Sequence, residues 1–292
     1  MVATLDLNDY RAAIIGSFPE LSDSSFTPLT MGWHCIALDV DNRLIFKFPR
    51  NDAAREALER EAAILATVRP AVTMPVPDIT LHGGHGGSPL FSRHRKLRGE
   101  HLVTEQYRRL PEEAKDRLAA RMAQFYAELH RLDEATMMGA GAGPILPWLS
   151  PDEILAKTLP LLDDGLRAYA ERTIAAWRDL APDPHGTTYG FFDGHGWNMA
   201  FDHDRNTLNG VYDFADSGFG TLHQEFIYSN LISTDLTERI VAGYEGRTGR
   251  RLDRRRIEIL TGAHRLSELA ELADDPGHRP AMIKHVAEWA GM

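Results

Sequence analysis

The apolar positions of this chain change their period near residues 95–100. Ahead of that point the pattern is mainly that of strands. Cys35-Ile36-Ala37-Leu38-Asp39-Val40 and Arg43-Leu44-Ile45-Phe46-Lys47-Phe48 flank Asp41-Asn42, a pair suited to a tight hairpin turn. A second hairpin is predicted around His82-Gly83-Gly84-His85-Gly86-Gly87, with Leu90–Leu97 as its return strand. Two helices interrupt the strands. One is short and amphipathic, spans residues 8–17 and is closed by Phe18-Pro19. The other spans Ala53–Val68, where Leu58, Ala62 and Leu65 recur at helical spacing until Pro75-Val76-Pro77.

Beyond Gly99 the period is mostly helical. Pro111–Leu132 is predicted as one long helix with Leu118, Met122, Phe125, Tyr126 and Leu129 on its apolar stripe. Ser150-Pro151-Asp152-Glu153 has the form of a capping box and opens the first of two helices over residues 151–180. Short strands follow over 188–214, then helices around 235–246, 253–272 and 279–290. Strands first and helices later predict an α+β chain in two lobes. The division is placed at 1–97, a small antiparallel-sheet lobe, and 98–292, a larger and mostly helical one.

Composition narrows the partners. The chain has 292 residues, 43% hydrophobic and 25% charged, which suffices for a sizeable core. Its net charge of -10 leaves no basic excess to neutralise a phosphate backbone, so nucleic acid is not expected as a partner. Cys35 is the one cysteine, which excludes an intrachain disulfide and fits a reducing cytoplasm. No run approaches the roughly 18 apolar residues of a membrane helix, so no membrane partner is expected.

The residues that carry chemistry cluster late in the chain. Asp193-Gly194-His195-Gly196-Trp197-Asn198 is followed, beyond a predicted hairpin turn at Asp202–Asn206, by Val211-Tyr212-Asp213-Phe214. An aspartate, an asparagine five residues on and a second aspartate across a hairpin suit phosphoryl transfer. The first can hold an acceptor hydroxyl, and the other two can hold metal ions on a nucleoside triphosphate. Such a site needs a lysine for the phosphates and a carboxylate to fix that lysine. Lys47 lies mid-strand, and Glu61 lies fourteen residues later on the next helix. Glu56 and Glu59 are alternatives, but the apolar spacing brings Glu61 nearest the buried face. Gly32-Trp33-His34-Cys35 opens the first hairpin, where Gly32 allows a backbone loop to approach phosphates, although a Gly-rich signature is absent. The thirteen histidines show no zinc spacing. Ser24-Ser25 and Ser217 lack a nucleophile elbow, and the arginines of 247–256 read as a solvated helix start.

On these motifs the chain resembles the aminoglycoside phosphotransferase and choline kinase-like family, which has the protein-kinase-like fold. Phe46-Lys47-Phe48-Pro49-Arg50 with Glu61 looks most like the aminoglycoside 2''-phosphotransferase branch. Asp193–Asn198 resembles the family's Asp-Leu-His-Pro-Gly-Asn loop, Gly210–Asp216 its Gly-Val-Ile-Asp-Phe-Gly-Asp strand end, and Leu129-His130 the end of its long helix. The resemblance implies that Lys47 holds the α and β phosphates of ATP or GTP with Glu61 as its partner. It implies Asp193 as the catalytic base or orienting group, and Asn198 and Asp213 as Mg²⁺ ligands. The base would bond to the backbone of the linker near His94–Leu97, around Arg95 and Leu97.

The implied protein is a cytoplasmic small-molecule kinase, a monomer or weak dimer, acting on an aminoglycoside-like hydroxyl. A metabolic kinase for a sugar, amino alcohol or macrolide and a nucleotide-binding pseudokinase are the alternatives. Two residues depart from the family pattern. Phe191 stands where a histidine usually supports the loop, and Glu225 stands where an aspartate usually braces it. Glu268, Glu271, Asp274 and Asp275 form an acidic stretch that either meets a cationic acceptor or is a solvated helix face.

Overall fold

Five antiparallel strands in the order β1-β2-β3-β5-β4 build the N-terminal sheet from β1 (Phe26–Leu29), β2 (Cys35–Val40), β3 (Leu44–Pro49), β4 (Thr80–His82) and β5 (Phe91–Arg95). They belong to a computed structural model that describes residues 7–29, 35–83 and 89–291. The predicted turn between β2 and β3 is present. Asp41 and Asn42 have φ of 55° and 53°, the left-handed pair of a type I′ turn, within a three-residue loop between Val40 and its partner Leu44. The turn between β4 and β5 lies largely outside the described residues. Leu38, Val40, Phe46, Phe48 and Phe91 bury one face of the sheet against Ile14 of α1 (Leu7–Ser17).

Helix α2 (Asp52–Val68) starts where the Asn51 side chain accepts the Ala54 N–H at 2.8 Å. Its buried side carries Leu58, Ile64, Leu65, Val68 and also Glu61, whereas Glu56 and Glu59 face solvent. The chain leaves the sheet through Gly99 at φ 138°. A Cβ there would stand 2.5 Å from the backbone carbon of Ala200, so only glycine lets the linker cross this close.

The remainder is mostly helical: α3 (Thr104–Arg108), α4 (Glu112–Leu129), α5 (Glu134–Gly139), α6 (Pro151–Thr158), α7 (Asp164–Arg178), α8 (Thr234–Thr248), α9 (Arg254–Glu271) and α10 (Arg279–Ala290). Helix α4 packs along α8, and Phe125, Tyr126 and Leu129 sit in a core with Phe191, Phe214 and Phe226. The sequence pattern extends this helix to Leu132, but it ends at Leu129. His130 turns its ring inward, with Nδ1 2.8 Å from the Tyr244 hydroxyl, and Asp133 caps the separate helix α5. The predicted capping box at Ser150 and Glu153 is present at the start of α6. Helices α6, α7, α9 and α10 enclose a second apolar cluster around Ile154, Ile174, Leu266 and Val286. Two small ribbons lie among these helices. β6 (Thr187–Gly190) pairs with β9 (Gly218–Thr221), and β7 (Met199–Asp202) pairs with β8 (Thr207–Val211). Among the described residues, no helix is long and apolar enough to cross a membrane.

Candidate active site

The two ribbons and the sheet converge on one cluster of charge. Strand β3 presents Lys47, whose Nζ lies 3.3 and 3.4 Å from the two carboxylate oxygens of Glu61 and 3.4 Å from Oδ1 of Asp213. Burial alone would lower the Lys47 pKa. Glu61 and Asp213 outweigh it and raise the lysine well above its ordinary value, so it stays charged. Glu61 does more than its spacing suggests. Its Oε1 also accepts the Phe214 N–H at 3.1 Å, which ties α2 to the residue after Asp213. Gly32 lies outside the described residues.

The β7–β8 ribbon brings the predicted aspartate and asparagine together. Met199 pairs with Val211, and the Tyr212 N–H donates to the Asn198 carbonyl at 3.0 Å, so Asp213 follows directly beside Asn198. The Asn198 side-chain amide donates to the Asp193 carbonyl at 3.1 Å and to its Oδ2 at 2.5 Å. His195 Nε2 lies 3.0 Å from the other oxygen, Oδ1. Asp193 is therefore gripped at both oxygens. His195 Nδ1 is buried and has no partner among the described residues. Burial opposes charge on this ring, but its bond to Asp193 raises the His195 pKa.

Strain marks both ends of the site. Phe192 and Asp213 hold φ of 52° and 69°, a region that costs a non-glycine residue about 1–3 kcal/mol. Each is held by a buried carboxylate. Glu61 binds the N–H after Asp213. Glu225, fully buried, accepts the Phe191 N–H at 2.9 Å and the Phe192 N–H at 3.0 Å. His130 Nε2 stands 3.3 Å from the same Glu225 side chain. Glu225 thus reaches the loop despite its extra methylene. Phe191 is buried in the aromatic core, with its ring centroid 4.7 Å from Phe214 and 5.9 Å from Phe125.

The linker runs beside this cluster. His94 is buried, and that burial pulls its pKa down to about 4, so it is neutral at pH 7. Its Nδ1 lies 3.0 Å from the Arg95 carbonyl. Arg95 is exposed, while Leu97 is half-buried and lies against Gly210 of β8. Between them Lys96 Nζ clasps Asp39 and Asn42, each at 2.7 Å, and so fixes the linker to the first hairpin.

Asp193 also lines a cavity of about 430 Å³. Phe192, Asp216, Glu268 and Glu271 line it together with an apolar segment from Ile145 to Trp148. Two of the four acidic residues singled out in the sequence therefore face the candidate catalytic aspartate. The other two do not line the cavity. Asp274 is exposed, and Asp275 caps the approach to α10 through the Gly277 N–H and His278.

An antiparallel five-stranded sheet over a mostly helical body, with a lysine–glutamate pair between them, is the protein-kinase-like architecture. The chain belongs to the phosphotransferase enzyme family, whose sequence model matches residues 27–260, and it is accordingly a phosphotransferase with an alcohol group as acceptor. Solved structures agree in fold. The GDP complex of wild-type aminoglycoside 2'-phosphotransferase-IIIa is 23% identical over 98% of this chain and 99% of that chain, with a TM-score of 0.83. The streptomycin–ATP complex of APH(2'')-IIa is 19% identical over 100% and 98% of the two chains, with a TM-score of 0.65. Macrolide 2'-phosphotransferase type I is 15% identical over 98% of each, with a TM-score of 0.67. No protein of curated function matches the chain by sequence.

Proposed function

We propose that this enzyme transfers the γ-phosphate of ATP or GTP to a hydroxyl of a cationic, aminoglycoside-like acceptor. The observation that carries the proposal is the continuity of three features: the Lys47–Glu61–Asp213 cluster, the doubly held Asp193 and the acid-lined cavity that Asp193 borders. Residues 1–97 would hold the nucleotide and 98–292 the acceptor. Lys47 neutralises the α and β phosphates, Glu61 keeps the lysine in place, and the linker backbone at Arg95 and Leu97 receives the base. Gly32, outside the described residues, is assigned to the phosphates on its sequence position alone.

Asn198 and Asp213 suit Mg²⁺. The amide nitrogen of Asn198 is committed to Asp193, which leaves its carbonyl oxygen, and Asp213 adds a half-exposed carboxylate. Both are hard oxygen donors of the kind that share Mg²⁺ with phosphates. When bound, the metal neutralises charge on the triphosphate. The protein's own contribution is positioning. Asp193 orients the acceptor hydroxyl towards the γ-phosphorus and receives its proton as the new P–O bond forms and the bond to the nucleoside diphosphate breaks. His195 and Asn198 fix the plane of the Asp193 carboxylate.

Several readings support this one. The solved relatives' names include GDP, ATP, streptomycin and macrolide, so both nucleotides and more than one acceptor class belong in the test. The acid residues at the cavity favour an aminated acceptor over a neutral sugar. The experiment is ADP and GDP release from ATP and GTP, with and without Mg²⁺, against aminoglycosides, macrolides, choline and small sugars. Acceptor-stimulated release that requires Mg²⁺ and disappears in Asp193→Ala is the expected result. Release that no acceptor stimulates would count against the proposal.

A further inference from the structure

An indole stands open to solvent in the loop that carries Asp193. Trp197 is 49% exposed, although Asn198 beside it is buried. The loop that Asp193–Asn198 resembles has glycine at this place, so the turn itself does not call for a large aromatic ring. One side of the indole is occupied by the His101 imidazole, with ring centroids 4.5 Å apart. A chain of hydrogen bonds fixes the pair. The Tyr212 hydroxyl donates to the Trp197 carbonyl at 2.8 Å, and its oxygen lies 3.1 Å from His101 Nδ1. Its single proton is committed to the carbonyl, so Nδ1 supplies the proton of the second bond. In the neutral ring Nε2 is then an acceptor, and it meets no donor among the described residues.

The pair lies between the two ends of the proposed nucleotide site. The linker continues from Leu97 along the β7–β8 ribbon. Glu100 and Phe201 exchange backbone hydrogen bonds of 2.9 Å, and the Leu102 N–H donates to the Gly196 carbonyl at 3.1 Å. His101 therefore follows the residues assigned to the base, and Trp197 directly precedes Asn198. Tyr212, which joins the two, directly precedes Asp213. A nucleotide with its base at the linker and its phosphates at Asn198 and Asp213 carries its ribose across this stretch. Neither Trp197 nor His101 lines the acid-lined cavity, so the acceptor occupies different ground.

We propose that Trp197 and His101 form the ribose subsite: the open side of the indole covers the sugar, and His101 Nε2 accepts a hydrogen bond from a ribose hydroxyl. This rests on the nucleotide reading above. Covering roughly 50 Å² of apolar indole and sugar surface corresponds to about tenfold in affinity. One hydroxyl–imidazole hydrogen bond adds about fivefold. Both contacts are made to the sugar, so ATP and GTP should respond alike.

The test is calorimetric binding, with Mg²⁺ and without acceptor, of ATP, 2',3'-dideoxy-ATP and tripolyphosphate, repeated with the guanine pair. The wild type is expected to bind ATP about fivefold more tightly than the dideoxy form. Trp197→Ala is expected to weaken both by about tenfold and to leave tripolyphosphate within about twofold, which shows that Asn198 and Asp213 are still in place. Trp197→Phe, which keeps an aromatic face, should recover most of the loss. His101→Phe keeps a ring against the indole without the acceptor. It should leave dideoxy-ATP unchanged and bring ATP down to the same affinity. Trp197→Ala that binds ATP as wild type does, a loss shared equally by tripolyphosphate, or a wild type that does not distinguish ATP from its dideoxy form each overturn the inference. A wild type that binds none of the nucleotides would overturn the nucleotide reading as well.

Discussion

Replacing Glu225 by glutamine tests how the structure positions Asp193. The carboxylate uses both oxygens, Oε2 for the Phe191 N–H and Oε1 for the Phe192 N–H, and Oε2 also faces His130. A glutamine has one carbonyl oxygen. Its better orientation keeps that oxygen between Phe191 and His130 and turns the amide N–H₂ towards the Phe192 N–H. One buried backbone donor is then left without an acceptor, a loss of about 1.5–3 kcal/mol for a bond to a charged group. Phe192, at φ 52°, loses what holds it in a strained conformation and relaxes, and Asp193 is the next residue. A displacement near 1 Å is enough to lower turnover by ~100-fold.

The variant should therefore lose ~2 kcal/mol in urea unfolding and ~100-fold in kcat, with the nucleotide KM within about threefold, because Lys47 and Glu61 lie on other elements. Gly190→Ala provides an independent perturbation, since a Cβ there would stand 2.0 Å from Glu225 Oε2 and push the same carboxylate away. A Glu225→Gln enzyme that is destabilised by this amount yet turns over within twofold of wild type would refute the reasoning. Glu225 would then hold the fold without placing Asp193.

Two further outcomes follow from other buried charges. Glu61→Gln removes the counter-charge of Lys47 and weakens its bond to the Phe214 N–H, so nucleotide KM should rise about tenfold, read by titration with ATP and GTP. Asp183 is buried, which alone would raise its pKa, but hydrogen bonds from the His223 side chain and backbone and from the His185 N–H bring it down to about 2. A carboxyl lowered in the folded state stabilises the protein above its unfolded pKa, and that contribution is lost as pH falls from about 4 towards 2. Asp183→Asn should thus cost ~2 kcal/mol at pH 7 in denaturant melts, and the difference from wild type should shrink over that acid window. A gap that stays constant down to pH 2 would show that Asp183 acts through its shape alone.

Much of the site is visible in the sequence because its elements are local. Asp41-Asn42 specifies a hairpin by itself, and that hairpin places Lys47 on β3. The helical spacing of Leu58 and Leu65 separates Glu61 from the exposed Glu56 and Glu59. Asp193, Asn198 and Asp213 are legible because a single ribbon joins them. What cannot be read locally depends on contacts between distant segments. Nothing near Glu61 announces its bond to Phe214, and nothing near Phe192 or Asp213 announces left-handed backbone, since Glu225 and Glu61 impose it from elsewhere. Strand β9, Gly218-Phe219-Gly220-Thr221, has no apolar alternation and exists because β6 offers it a partner. The early end of α4 has the same origin, because His130 is drawn into the core by Tyr244 and Glu225.

The most direct measurement of the central claim is to follow a labelled γ-phosphate from ATP or GTP into an aminated acceptor, in parallel with nucleotide affinity. Wild type should deliver the label to an acceptor hydroxyl. Asp193→Ala should bind nucleotide within about threefold of wild type yet transfer the label at least ~1000-fold more slowly, as expected when the group that orients and deprotonates the hydroxyl is removed. Transfer that survives in Asp193→Ala, or label that appears only as inorganic phosphate with every acceptor, would contradict the account.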